Sequence, residues 1–152
     1  MDPADMLALR QLIDTYASAV DDRDGEGMAR LFVPEGRLIV YEAGTSEPAF
    51  SYLSPAEIGT VATEMERLYV RTFHFMGNFT CTVDGDTATG APYCVAYHLR
   101  EDERGSQIVL MPVRYRDTYR RTADGWRFVE RLCTIQWRER RPTNQWPPRP
   151  EL

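Results

Sequence analysis

Apolar residues recur every three or four positions near the start of the chain, and in its second half they alternate with polar ones. In "LRQLIDTYASAV", Leu9, Leu12, Ile13, Tyr16, Ala17 and Val20 fall at the i, i+3, i+4, i+7 spacing of an amphipathic helix. Asp24 then predicts the cap of a short second helix with Met28, Leu31 and Phe32 inward, stopped by the proline and glycine of "VPEG". "RLIVYEA" reads as a strand. "SPAE", Ser54 to Glu57, combines a cap serine, a proline at the first helical position and a glutamate able to close a capping box, and predicts a third helix through Ile58, Ala62, Met65 and Leu68.

From residue 71 the period becomes two. Strands are predicted at about 71–83, 87–100, 107–120 and 126–138, separated by the turns "VDGD", "EDERGS" and "TADG". Helices followed by a β-meander define an α+β domain, with three N-terminal helices packed on one face of a curved antiparallel sheet. One domain is expected over residues 1–140. The tail at 141–152, with four prolines and no period, is expected to be an extended arm or disordered.

A chain of 152 residues suits one domain able to bury a core or wrap a small cavity. Its net charge of -5 is spread over interspersed acids and bases, which argues against nucleic acid or an anionic membrane and leaves small molecules or proteins as partners. No run approaches the roughly 18 apolar residues of a membrane span. The start "MDPADMLALR" lacks the basic residues and apolar run of a signal peptide, so a soluble, cytoplasmic protein is expected. Cys81, Cys94 and Cys133 are odd in number and lack CxxC spacing, which predicts reduced core thiols in place of a disulfide or zinc site.

The candidate chemistry starts at "RTFHFMGNFTCTV". Read as one unbroken strand, it places Phe73, Phe75, Phe79, Cys81 and Val83 on one face and Thr72, His74, Met76, Asn78 and Thr80 on the other. The second face suits a pocket with a few polar handles, although a structural histidine fits the same pattern. Asp21 falls at the edge of the first helix's apolar stripe, where it can turn inward or stay solvated, and Tyr16 lies within the stripe. His98 shares the face of His74 only if the hairpin between them carries a bulge or a three-residue loop.

These pieces, "YASAVDDRDGEGMARLF", "TFHFMGN", "VDGDTA" and "RYRDTYRRTADGWRFVER", together resemble the SnoaL-like branch of the nuclear transport factor 2-like superfamily across residues 6–138. The resemblance implies a cone-shaped α+β barrel with a deep apolar pocket, as in scytalone dehydratase and hexachlorocyclohexane dehydrochlorinase, commonly assembled as a trimer. It also implies a cofactor-free base made of His74 and Asp21, helped by Tyr16 and Arg131. The chemistry is coherent, because Asp21 would fix the tautomer of His74 and stabilise the imidazolium formed as a substrate proton is taken. Arg131 has a second reading as a cross-strand ion pair with Glu130 or Asp117. Further substrate contacts are expected from Asn78, His98, Tyr41, Met65, Met76, Tyr93 and Trp137, for each of which plain packing is the alternative. No tight ligand spacing supports a metal site.

Two functions follow: a cofactor-independent lyase or isomerase acting on a small apolar oxygenated ring compound such as a polyketide, steroid or terpenoid, or a non-catalytic binding or assembly module on the same scaffold. The apolar face Phe73, Phe75, Phe79 and Cys81 predicts a homo-oligomer, a trimer by resemblance or else a dimer.

Overall fold

The computed structural model describes residues 2–103 and 105–144. Helix α1, Pro3–Asp21, starts on an Asp2 cap that accepts from the Ala4 amide at 2.9 Å, and it buries the stripe from Leu9 to Val20. Asp24 caps α2, Gly25–Arg30, by accepting from the Gly27 amide at 2.7 Å. Phe32 lies outside that helix, contrary to the sequence reading. It opens strand β1, Phe32–Glu42, because pairing with Phe128 brings the two rings to a centroid distance of 5.0 Å. Strand β2, Phe50–Tyr52, pairs with β1; three residues are too few to show an alternation in sequence. Helix α3, Pro55–Leu68, has the expected cap: Ser54 Oγ accepts from the Glu57 amide at 3.3 Å, while the Glu57 carboxylate accepts from the Leu53 amide at 2.7 Å.

The remaining strands are β3 (Arg71–Met76), β4 (Cys81–Asp84), β5 (Thr87–Gly90), β6 (Tyr93–Asp102), β7 (Gly105–Thr122), β8 (Gly125–Ile135) and β9 (Glu139–Pro142). Long β7 is the axis of the sheet. It pairs with β6 and β5 along one edge and with β8 and β9 along the other, and β3, β4 and β1 extend the sheet from β6, β5 and β8. One pairing departs from the expected antiparallel sheet: β1 and β8 run parallel, which their wide separation in sequence permits. The expected boundary at residue 140 falls inside β9, and residues 145–152 of the tail lie outside the described residues.

The two strands read as 71–83 and 87–100 are each broken in the middle. Met76 pairs with Cys94 and Cys81 with Gly90, so residues 77–80 oppose only residues 91–93. Pro92, buried at the centre of this segment and without an N–H, cannot complete a regular ladder. The extra residue reverses parity. Phe79, Cys81 and Val83 therefore pack against the core, whereas Phe73 and Phe75 stay 60% exposed, which corrects the single apolar face expected from an unbroken strand.

Candidate active site

The concave side of the sheet and helices α1 and α3 enclose a cavity of about 420 Å³. Its walls are chiefly apolar, from Val20 on α1 and Val61 on α3 to Met111, Val113 and Ile135 on the sheet, and Phe50 and Leu68 sit at a partly exposed rim. Tyr16, Met65, His74 and His98, four of the residues singled out in the sequence, all line it.

His74 and Asp21 are in direct contact. Imidazole Nδ1 lies 2.7 Å from Asp21 Oδ1, and the His74 backbone amide donates to Asp21 Oδ2 at 2.8 Å. Thr72, one turn of the pleat away, donates its hydroxyl to Asp21 Oδ1 at 2.8 Å. Asp21 sits on the last turn of α1, so its carboxylate ties this end of the helix to β3. Burial alone would push the Asp21 carboxyl up, but the hydrogen bonds from the His74 ring, its amide and Thr72 outweigh burial and hold it below the usual carboxylate range. An ionised carboxylate only accepts, so neutral His74 carries its proton on Nδ1 and leaves Nε2 as a base.

His98 shares the face of His74 because of the break at Pro92. Its Nε2 lies 3.4 Å from His74 Nε2, its ring packs on Tyr69 at 4.4 Å, and its buried Nδ1 has no protein partner among the described residues. Burial, with the neighbouring His74 as a second cause, pushes its pKa down to about 3. His98 is therefore a neutral polar group at physiological pH. Asp21 and His98 address opposite nitrogens of His74, an arrangement unlike a facial set of metal ligands.

Arg131 does not line the cavity. It is fully buried beneath the floor, donating to Asp117 Oδ1 and Oδ2 at 3.0 and 3.1 Å, with Tyr119 donating to the same carboxylate at 2.8 Å. Its guanidinium stacks 4.3 Å from the Tyr16 ring and 3.9 Å from Tyr115. The cross-strand ion pair is thus the reading the structure supports, and Arg131 reaches the cavity only through the rings of Tyr16 and Tyr115 that line it. Burial pushes the Tyr16 hydroxyl well up, so it remains a proton donor.

Five other expected contacts lie elsewhere. Met76 is buried in the core and is not part of the cavity wall. Tyr41 alternates outward from Leu38 and Val40, Asn78 is exposed in the strand break, and Tyr93 and Trp137 occupy the convex side, Trp137 with 61% of its surface exposed. The sequence reading missed Tyr69, Thr72 and the rim pair of Tyr52 donating to Glu64 at 2.7 Å; periodicity has no signal for hydrogen bonds between distant elements. No disulfide joins the three cysteines among the described residues, and burial pushes the cavity-lining Cys133 thiol up to about 12, too high for a nucleophile.

A helix-backed cone with its cavity on the concave side is the architecture of the nuclear transport factor 2-like proteins. The chain belongs to the SnoaL-like domain family, whose model matches residues 2–132. An uncharacterised protein of Mycobacterium tuberculosis is 28% identical over 131 residues, covering 86% of this chain and 85% of that one. A nuclear transport factor 2-like protein with a cystatin-like fold from Novosphingobium aromaticivorans is 28% identical with a TM-score of 0.66, covering 87% of this chain and 82% of that one. A candidate aromatic ring hydroxylase from the same organism superposes with a TM-score of 0.79 at 23% identity, covering 93% and 96%. A hexachlorocyclohexane dehydrochlorinase from Novosphingobium barchaimii does so with a TM-score of 0.76 at 18% identity over 96% of each chain. At such identities the last two likenesses concern the fold. No helix among the described residues is long and apolar enough to cross a membrane.

Proposed function

We propose that this protein is a cofactor-independent lyase or isomerase of the dehydratase type, in which His74 and Asp21 act as one base. The observation that carries this reading is the 2.7 Å contact between Nδ1 and Oδ1 in the wall of an apolar cavity, which leaves the imidazole's other nitrogen, beside His98 Nε2, to act as the base. In the proposed reaction His74 Nε2 takes a proton from a carbon beside a carbonyl, the C–H electron pair forms a double bond, and hydroxide or halide departs from the adjacent carbon. Asp21 stabilises the imidazolium, which returns its proton to the departing oxygen or to solvent. Tyr16 donates a hydrogen bond to the oxygen that gains charge. The dehydrochlorinase with the same fold performs an elimination by its name, which favours this class. The walls favour a small apolar ring compound bearing one or two oxygens, and Tyr16, His74 and His98 are the polar groups that would orient it.

The reading is tested by incubating the protein with β-hydroxy and β-halo ring ketones and following the conjugated product by absorbance. Turnover that disappears in His74→Ala is the expected result. Compounds that bind in the cavity and are returned unchanged would make the protein a binding module instead.

A further inference from the structure

Arg23 is the one non-glycine residue with a left-handed backbone among the described residues, at φ 60°. It follows the last turn of α1, where the Asp24 amide bonds back to the Ala19 carbonyl at 2.9 Å. Glycine commonly fills this position because it has no Cβ to clash. A large charged residue accepts backbone strain there, and its side chain shows what it gains. One guanidinium nitrogen donates both to the Val20 carbonyl at 2.9 Å and to Thr72 Oγ1 at 2.7 Å. Because Arg23 can only donate, the Thr72 oxygen must accept from it, and the Thr72 hydrogen is committed to Asp21 Oδ1.

We propose that Arg23 and Thr72 are positioning residues for the His74–Asp21 base: the guanidinium orients the Thr72 hydroxyl, which holds Asp21 in the rotamer that meets His74. This rests on the proposed function for its purpose but not for its geometry. The donors that run from Arg23 through Thr72 converge with His74 Nδ1 on the Asp21 carboxylate, and the first of them is anchored by a strained backbone at the end of the helix that carries Asp21. The His74 ring itself touches Asp21 at the end of α1 and His98 on β6.

The test needs no substrate. In the full chain labelled with nitrogen-15, the Nδ1-bound proton of His74 should appear as a downfield, slowly exchanging resonance that is lost in Asp21→Asn. Arg23→Gly, which suits the left-handed backbone, should retain the wild-type melting temperature yet exchange that proton about tenfold faster. Thr72→Val should match it, Thr72→Ser and Arg23→Lys should restore slow exchange, and the Arg23→Gly/Thr72→Val double variant should be no faster than either single one. Wild-type exchange in both Arg23→Gly and Thr72→Val would overturn this inference while leaving the base intact. A His74 proton unaffected by Asp21→Asn would overturn the base itself.

Discussion

His98 and Arg131 show how burial decides what an ionisable residue can do. An unfolded histidine titrates near pH 6.5, whereas His98 in the fold is pushed down to about 3. Between those values the unfolded chain binds a proton that the folded chain refuses, so the stability His98 allows is fully present above pH 6.5 and lost as pH falls. The loss from this group should reach about 2 kcal/mol between pH 7 and pH 5. Urea unfolding of the wild type and His98→Phe at the two pH values checks this, the variant being expected to show the smaller change. Arg131 and Asp117 have no exposed surface and rely on each other. Arg131→Met should therefore cost about 3–5 kcal/mol by leaving a buried carboxylate unpaired, and adding Asp117→Leu should recover a large part of it. Tyr16 and His74 were legible as candidates because helical period and strand alternation say which way a side chain points, whereas Asp21, left open by the period, was singled out by the family resemblance. The place of Arg131 was not, because whether it meets the cavity or Asp117 depends on the cross-strand register, which lies outside any local pattern.

The elements were legible wherever their ends carry a chemical mark. Asp24 and Ser54 cap the helices they were expected to cap, and Gly85 and Gly125 have the positive φ angles their turns demand. The break at 77–80 was not legible, since it follows from Pro92 meeting a partner strand. Its consequence is large, because it alone brings His98 beside His74. The cavity wall formed by α3 depends on another close approach. A Cβ built at Gly59 would lie 2.9 Å from the Gly25 carbonyl oxygen, and one at Gly25 would lie 2.5 Å from the Gly59 oxygen. Gly59→Ala should therefore force α2 and α3 apart, costing about 1–3 kcal/mol in denaturant unfolding and loosening the wall at Val61 and Met65.

On the whole molecule, the convex side of the sheet presents Phe73, Phe75 and Trp137, each about 60% exposed, beside Val95 and Tyr97. An apolar area of this kind is expected to be covered by further copies of the chain, with a trimer the expected state. Light scattering of the wild type should give a mass above the 17.5 kDa of one chain, and Phe73→Lys with Phe75→Lys should lower it. Inside the cone, His74 and Asp21 are expected to act as one unit. The most direct test is the double-mutant cycle on turnover of a substrate found among the β-hydroxy and β-halo ring ketones. Asp21→Asn and His74→Ala should each reduce kcat by about a thousandfold or more with the fold intact, and the double variant should lose little beyond His74→Ala alone. Losses that multiply, or an Asp21→Asn protein that turns over as fast as wild type, would contradict it.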